Sequence, residues 1–314
     1  MGNMPKVLVT CPPMLGMIDS FRPLFEQRGW QVTAPKVVQT LSVDELAELV
    51  PQHDGWIIGD DPATRAVFES GKAGRLRAAV KWGIGVDNVD FAACKDFGIP
   101  ISNTPNMFGA EVADIAMGYV TALARETFQI DQGVRQGQWP KPRGISLGGK
   151  TVALVGYGDI GKNAAKRMLA AGMHVIAYDP AAPDAPEMPA VERAVWPARL
   201  SEAHFIVVTC ALTASSRHMI NAETLAQARP GVRVVNVGRG PVIDEPALEQ
   251  ALESGQVYSA ALDVFEQEPL PAGSYLRAHP RCVFGSHNAS NTADAVARTS
   301  ELAIAKLGGF LDAR

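Results

Sequence analysis

Three glycines near the middle of the chain have the spacing of a phosphate-binding turn. Gly156, Gly158 and Gly161 form a G-x-G-x-x-G pattern directly after an apolar, β-branched run at residues 151–155. In such a pattern the first glycine permits a tight turn, the second lets the backbone approach a pyrophosphate, and the third lets a helix pack closely on the strand. The N–H groups and the dipole of that helix then hold the phosphate. The stretch predicts a dinucleotide site; the alternative is a βαβ unit whose glycines only shape the turn.

An acidic residue stands at the end of the next predicted strand. Asp179 closes the apolar run 173–178, roughly 20 residues after the glycines, where dinucleotide sites hold the adenosine ribose. A carboxylate there accepts hydrogen bonds from the ribose hydroxyls and repels a 2′-phosphate. We therefore expect NAD rather than NADP as the cofactor.

Three polar side chains follow otherwise apolar strands in the second half of the chain: Arg239, Glu268 and His287. In an open parallel sheet the carboxyl ends of the strands border the ligand crevice. A guanidinium suits a substrate carboxylate and carbonyl oxygen, and an imidazole beside a carboxylate suits proton transfer. The set predicts hydride transfer between a nicotinamide and a 2-keto acid. Taken singly, the three could instead be a surface ion pair, a loop acid and a helix cap.

Composition limits the other classes of function. The chain has 314 residues, 47% of them apolar and 20% charged, with a formal net charge of −4. This length allows two domains, and the charge offers no basic field for nucleic acid or an anionic membrane. No apolar run has membrane-spanning length, and the amino terminus shows no signal peptide, so we expect a cytoplasmic protein. Four cysteines without a C-x-x-C pattern predict reduced thiols and no metal site: Cys11, Cys94, Cys210 and Cys282.

The elements that must position these residues alternate between strands and helices along the whole chain. This alternation predicts an α/β fold with two doubly wound parallel sheets. The first half lacks the glycine pattern, so its domain is not expected to hold the dinucleotide. Predicted strands lie at residues 6–10, 30–33, 55–59, 78–82, 99–102, 151–155, 173–178, 205–209, 232–237, 257–264 and 282–285. Other predicted segments are loops at 11–13 and 179–197, one long helix at 110–133, a Gly/Pro-rich crossing at 137–149 and a final helix at 290–311.

Six motifs in this order span nearly the whole chain. They are KWGIGVDNVD (81–90), NTPN (103–106), VGYGDIG (155–161), VNVGRGPVIDE (235–245), LDVFEQEP (262–269) and SHNAS (286–290). With them the chain resembles the D-isomer-specific 2-hydroxyacid dehydrogenases, and most closely their short, phosphoglycerate-dehydrogenase-like branch.

The resemblance implies a domain organisation and a catalytic set. It implies a flavodoxin-like substrate domain formed by residues 1–104 and 288–314, an NAD-binding Rossmann domain at 105–287, and a cleft between them. Arg239 then anchors the substrate, His287 donates or accepts the proton, and Glu268 is the acid that partners this histidine. The long helix and the crossing match the region through which the family dimerises, so a homodimer is expected.

The resemblance also implies contacts with the substrate and the cofactor. The Gly83, Ile84 and Gly85 loop would receive the substrate carboxylate on its backbone amides, although it could also be a plain turn. Lys81 and Trp82 precede this loop and are further substrate-binding candidates; a lysine at a strand end is, alternatively, a solvated surface residue. Asp159 and Ile160 would face the pyrophosphate, and Asp263 would contact the nicotinamide amide. The other expected cofactor contacts are Ile84, Cys210, Val237 and Gly238.

Several positions depart from the family pattern. The segment 209–212 reads TCAL where the family commonly ends in Pro-Leu, and Asn288 replaces a small apolar residue. Asp60 and Asp61 are acidic where a phosphorylated substrate would need a cation, which argues against 3-phosphoglycerate. The formate enzymes of this scaffold have Gln where this chain has Glu268. An NAD-sensing, corepressor-like binding protein and a phosphite-type dehydrogenase stay open as alternatives, as do the particular 2-hydroxy acid and the direction of the reaction.

Overall fold

The structure is a computed structural model that describes residues 4–182 and 188–312. The chain divides into two compact units. Unit 1 comprises Met1–Met107 and Asn291–Arg314, and unit 2 comprises Phe108–Ser290. Each unit contains one parallel β-sheet with helices, so the predicted α/β fold with two doubly wound sheets is confirmed.

Unit 1 is built on a five-stranded parallel sheet in the order β2-β1-β3-β4-β5. This 2-1-3-4-5 order is the flavodoxin-like one. The short central strands consist almost entirely of buried apolar residues, as expected where helices cover both faces of a parallel sheet. The strands are β1 (Lys6–Val9), β2 (Gln31–Thr33), β3 (Gly55–Ile58), β4 (Ala78–Lys81) and β5 (Ile101–Asn103).

Six α-helices of unit 1 accompany this sheet. They are α1 (Pro12–Gly16), α2 (Ile18–Gln27), α3 (Val43–Leu49), α4 (Arg65–Ala73), α5 (Phe91–Phe97) and, at the end of the chain, α12 (Ala293–Asp312). Helix α3 begins with a capping box, in which Ser42 and Glu45 satisfy each other's backbone N–H groups. Trp56 and Phe68 are fully buried and pack with their ring centroids 5.8 Å apart, which joins β3 to α4.

Unit 2 contains a seven-stranded parallel sheet in the order β12-β11-β10-β9-β6-β7-β8. Numbered within the unit, this is the Rossmann order 3-2-1-4-5-6 with a seventh strand added beyond the sixth. The strands are β6 (Thr151–Val155), β7 (His174–Tyr178), β8 (Val191–Arg193), β9 (Phe205–Val208), β10 (Val232–Asn236), β11 (Val257–Leu262) and β12 (Cys282–Phe284). The helices are α6 (Gly109–Arg125), α7 (Thr127–Arg135), α8 (Asp159–Ala170), α9 (Ala222–Gln227), α10 (Glu245–Ser254) and α11 (Tyr275–Ala278).

The single long helix predicted at 110–133 is wrong. The structure has α6 and α7 instead, with Glu126 between them in the left-handed region at φ 54°. A continuous helix would use the carbonyl of Ala124 four residues later, but this carbonyl accepts the N–H of Ile145 at 2.8 Å. A bond from a distant segment therefore interrupts the helix.

Two predicted loops also contain regular structure. Pro12 and Pro13 were expected in a loop, but Pro12 begins α1, because the first turn of a helix needs no proline N–H. The predicted loop at 179–197 contains β8, which is too short and too polar to show a strand pattern. Residues 183–187 of that loop lie outside the described residues.

Candidate active site

The candidate residues of unit 2 lie along one edge of its sheet. All strands are parallel, so their carboxyl ends share an edge, and each strand from β12 to β7 is followed there by a residue singled out above. In spatial order these residues are His287 after β12, Glu268 after β11, Arg239 after β10, Cys210 after β9, Gly156 after β6 and Asp179 after β7.

His287 and Glu268 form a hydrogen-bonded pair. The distance from His287 Nδ1 to Glu268 Oε2 is 2.7 Å, and the side chains are 23% and 21% exposed. A carboxylate can only accept a hydrogen bond at this contact, so Nδ1 carries the proton. The bond to Glu268 does not use Nε2, the other ring nitrogen of His287. The other oxygen of Glu268 accepts the N–H of Phe265 at 3.0 Å. The acid is thus fixed to its own loop while it orients the imidazole.

Asp263 is the buried residue that fixes the backbone around His287. It is 3% exposed, and its carbonyl accepts the N–H of His287 at 2.7 Å. Its carboxylate accepts the N–H groups of Asn288 at 3.3 Å and Ala289 at 2.9 Å. His287 has φ 55°, a left-handed conformation that is uncommon for a residue with a side chain. These three bonds support that turn.

A tyrosine on helix α6 completes the surroundings of Asp263. The hydroxyl of Tyr119 hydrogen-bonds to Asp263, and burial, together with the negative charge of Asp263, raises the pKa of Tyr119. The phenol is therefore protonated and donates to the carboxylate. Gly285 leaves the space for this contact, because a Cβ there would lie 1.9 Å from Asp263 Oδ1 and 2.6 Å from the Tyr119 oxygen.

Arg239 lies in a turn that the side chain of Asn236 closes. Asn236 Oδ1 accepts the N–H of Gly238 at 3.0 Å, and its Nδ2 donates to the carbonyl of Arg239, also at 3.0 Å. Nη1 of Arg239 donates to the carbonyl of Gly238 at 2.9 Å. The next residue, Gly240, packs against the backbone of Phe265, which a Cβ would approach to 1.9 Å. The arginine turn thus contacts the loop that carries Glu268.

The glycine turn after β6 has the geometry of a phosphate cradle. Gly156 has φ 97°, and a Cβ there would lie 2.6 Å from the nitrogen of Cys210. A Cβ at Gly161 would lie 2.2 Å from the carbonyl oxygen of Gly156, so only glycine lets α8 pack this closely. Gly158, in contrast, is exposed and has no atom within 4 Å of its virtual Cβ. This space at the start of a 12-residue helix fits a dinucleotide pyrophosphate.

The acidic residues around this cradle are held by hydrogen bonds from neighbouring groups. Asp179 accepts the N–H groups of Tyr157 at 2.8 Å, Ala181 at 2.9 Å and Ala182 at 3.0 Å, which places its carboxylate beside the glycine turn. Asp159, the first residue of α8, accepts a bond from Asn163 at 3.2 Å and faces Gly109 at the start of α6. Ile160 follows in the first turn of α8, and Val237 and Gly238 are buried after β10.

The substrate-binding candidates of unit 1 lie at the carboxyl edge of its own sheet. Lys81 is 2% exposed, and its Nζ donates to the carbonyl of Gly59 at 2.7 Å and to Asp60 at 2.9 Å. It is therefore a buried, paired cation and not a solvated one. Trp82 is also buried, and its indole donates to Ser300 of α12 at 3.1 Å.

The loop after β4 presents backbone donors. The N–H of Gly83 donates to Thr104 Oγ1 at 2.7 Å. For Ile84 and Gly85, no acceptor for the backbone N–H occurs among residues 4–182 and 188–312. Ile84 is 40% exposed. Two adjacent amides of this loop can therefore receive an anionic group.

The four cysteines form no disulfide. Burial raises the pKa of Cys210 to about 11 and of Cys94 and Cys282 to about 12, and it raises the pKa of Cys11 further. Thiols in such surroundings are protonated and unreactive at neutral pH. In the part of the chain that the structure describes, no cluster of three or more His, Cys, Asp or Glu side chains could hold a metal ion. None of the described helices combines the length and the hydropathy needed to span a membrane.

Comparison with known proteins gives consistent results. The sequence profile of the NAD binding domain of the D-isomer specific 2-hydroxyacid dehydrogenases matches residues 117–289. A hydroxypyruvate reductase of Thermotoga maritima is 41% identical over 232 residues, which cover 73% of this chain and 74% of that protein. The chain belongs to the D-isomer specific 2-hydroxyacid dehydrogenase family. The predicted family, the NAD cofactor and the assignment as an NAD-dependent oxidoreductase acting on CH–OH are therefore confirmed.

Other members of this dehydrogenase family match over more of the chain. A chloroplastic D-3-phosphoglycerate dehydrogenase of Arabidopsis thaliana is 39% identical over 275 residues, 86% of this chain but 47% of that protein. This dehydrogenase spans about half the length of the phosphoglycerate dehydrogenases that it matches. The crystal structure of the TT0316 protein of Thermus thermophilus superposes with a TM-score of 0.87 at 29% identity, covering 98% of this chain and 97% of that one.

Two residues of this edge were not anticipated from the sequence of this dehydrogenase. Asn236 ends a run of valines, and a polar residue at the end of a buried strand is a signal that could have identified it. Tyr119 had no comparable signal, because its pairing with Asp263 joins a helix to a distant strand end.

The space at Gly285 generates a prediction about stability. In Gly285→Ala the new methyl group would collide with Asp263 and Tyr119. We therefore expect the free energy of unfolding to fall by roughly 1–3 kcal/mol, as at other overpacked sites. Thermal unfolding measures the change. Gly273→Ala is the matched control, since a Cβ at Gly273 meets no atom within 4 Å. Equal melting temperatures for the two variants would contradict the packing described here.

Proposed function

We propose that this dehydrogenase interconverts a 2-keto acid and a D-2-hydroxy acid, with His287 as the proton donor and acceptor. The observation that carries the proposal is the 2.7 Å contact between His287 Nδ1 and Glu268 Oε2 on the cofactor-binding sheet. The carboxylate stabilises the imidazolium and fixes the proton on Nδ1, so that Nε2 is the atom that exchanges a proton with the substrate oxygen.

Arg239 and the loop at Ile84–Gly85 are assigned to the substrate carboxylate. A guanidinium matches a carboxylate with two parallel hydrogen bonds and also polarises the neighbouring carbonyl. The adjacent N–H groups of Ile84 and Gly85 offer neutral donors of the kind that bind anions. Lys81 contributes less direct attraction, because Asp60 already matches its charge.

The cofactor contacts follow from the glycine turn. When bound, the cofactor would accept the hydride as NAD⁺ or supply it as NADH. Gly158 leaves space for the pyrophosphate. The first turn of α8 at Asp159 and Ile160 would donate N–H groups to it, and Asp179 would hold the adenosine ribose. The main chain at Cys210, Val237 and Gly238 lies at the same sheet edge and is assigned to the nicotinamide half. Asp263 is assigned to the nicotinamide amide, and its carboxylate also holds the turn of His287.

We further propose that the substrate is a small, unphosphorylated acid. The carboxylate of Asp60 already pairs with Lys81 at the carboxyl end of β3, so this lysine is not available as a cation for a phosphate group. Similarity to a hydroxypyruvate reductase makes hydroxypyruvate the first substrate to test. A cytoplasmic location stays a prediction.

The proposal is tested by NADH oxidation with a panel of 2-keto acids: hydroxypyruvate, glyoxylate, pyruvate and 3-phosphohydroxypyruvate. We expect turnover with unphosphorylated acids and a loss of about 10³-fold or more in kcat for His287→Ala, because the proton donor is removed. NADH affinity, measured by fluorescence titration, should stay within about twofold of the wild-type value.

Two results would contradict the proposal. If the wild-type protein oxidises no NADH with any acid of the panel but still binds NADH, an NAD-sensing binding role is favoured. Equal loss of turnover and of NADH binding in His287→Ala would remove this histidine from proton transfer. Phosphite and formate, tested as donors with NAD, separate the remaining alternative enzymes on this scaffold.

Asp179 should control the choice between NADH and NADPH. In Asp179→Asn the side chain loses the charge that repels a 2′-phosphate. It keeps one acceptor oxygen, so either the N–H of Tyr157 or those of Ala181 and Ala182 lose their acceptor. We expect the ratio of kcat/KM for NADPH to that for NADH to rise about tenfold or more. Glu192→Gln, which removes a charge on the adjacent strand β8, is the control and should leave the ratio unchanged. An unaltered ratio in Asp179→Asn would exclude this role.

We also propose that the protein is a homodimer that associates through α7 and the segment after it. Large apolar side chains are exposed there, with Phe128 46%, Val134 44% and Trp139 77% accessible. Light scattering coupled to size exclusion should give twice the chain mass of 33.5 kDa. Trp139→Glu places a charge in the proposed contact and should shift the mass towards one chain, because burying an unpaired charge is costly. A monomeric wild-type protein would rule the proposal out.

A further inference from the structure

The loop after β11 carries Glu268 and depends on groups outside itself. One carboxylate oxygen of Glu268 accepts the N–H of Phe265, and the other accepts the hydrogen bond from Nδ1 of His287. The direction of this carboxylate therefore follows the position of the loop backbone at residues 265–268. Anything that holds that backbone also sets the distance between the acid and the imidazole.

A second acid holds the next amide of this loop. The N–H of Glu266 donates to Oε1 of Glu245 at 2.5 Å. Glu245 is the first residue of α10, and Asp244 caps that helix by accepting the N–H of Ala247 at 3.2 Å. The anchor therefore belongs to a capped helix whose residue Leu248 is fully buried in the core. Glu245 thus projects from an element that is packed into the core.

The same loop is contacted from the segment that carries Arg239. Glu266 pairs through its side chain with His218 Nε2 at 2.6 Å, and the N–H of His218 donates to the carbonyl of Pro241 at 2.9 Å. Gly240 packs against the backbone of Phe265. The loop thus lies against the arginine turn on one side and carries the acid that binds His287 on the other.

We propose that Glu245 is a positioning residue: its bond to the Glu266 N–H holds the loop so that Glu268 orients His287 for proton transfer. This inference rests on the proposed function, in which His287 exchanges the proton. Glu245 itself touches neither substrate nor cofactor in this scheme. Its contribution is the placement of one backbone amide.

The electrostatic surroundings indicate which replacement should preserve this role. Burial raises the pKa of Glu245, and the nearby carboxylates of Glu266, Glu249 and Glu268 raise it further, whereas the bond from the Glu266 N–H lowers it. The position thus requires an acceptor oxygen and disfavours a negative charge. Glutamine provides the acceptor without the charge, and alanine provides neither.

The test compares Glu245→Ala and Glu245→Gln with the control Glu253→Ala, which removes an exposed acid from the same helix. In Glu245→Ala we expect kcat to fall about 10- to 100-fold while KM and NADH affinity change little, because misplacing a catalytic group costs turnover rather than binding. Hydrogen exchange of the amides at 265–268 should become about tenfold faster. Glu245→Gln and Glu253→Ala should match the wild type in both measurements.

The outcomes separate this inference from the proposed function. Unchanged exchange of the loop amides in Glu245→Ala overturns the inference whether or not the protein turns over any substrate. Equal losses of kcat in the Ala and Gln variants also overturn it, because the hydrogen bond would then not be the cause. Lack of turnover in the wild-type protein counts against the proposed function, and faster loop exchange in Glu245→Ala alone would still support the positioning of the loop.

Discussion

The edge of the seven-stranded sheet depends on one buried carboxylate. Asp263 directly follows β11 and binds three consecutive residues after β12, through its carbonyl to His287 and through its side chain to Asn288 and Ala289. A buried carboxylate is tolerated when donors surround it, and here two backbone amides and the Tyr119 phenol do so. Several hydrogen bonds to Asp263 therefore hold His287 in its left-handed conformation.

Other polar residues of this edge are held by backbone groups of their own turns. Asn236 closes the turn of Arg239, and Glu268 accepts an amide of its own loop. Gly240 and Gly285 matter because they let these turns approach one another without a side chain between them. A rigid parallel sheet thus supplies the spacing, and short hydrogen bonds between its terminal turns supply the orientation.

Much of this arrangement could be predicted from local sequence. Most strands of both sheets appear as apolar, β-branched runs, and the glycines, Asp179 and the three strand-end residues occupy positions that local chemistry makes recognisable. What could not be predicted depends on distant partners. The break at Glu126 follows from a bond between Ala124 and Ile145, and the buried state of Lys81 follows from Asp60 and Gly59. Strand β8 is recognisable as a strand only from its parallel pairing with β7.

The pairing of Lys81 has a consequence for long-range attraction. With its ammonium matched by Asp60 at 2.9 Å, the carboxyl edge of the five-stranded sheet has little net positive potential from this residue. In the proposed function, the attraction of unit 1 for the substrate anion then rests on the main-chain amides of Ile84 and Gly85 and not on Lys81. Dipolar capture decays faster with distance than attraction by a bare charge. Encounter rates governed by this unit should therefore be comparatively insensitive to ionic strength.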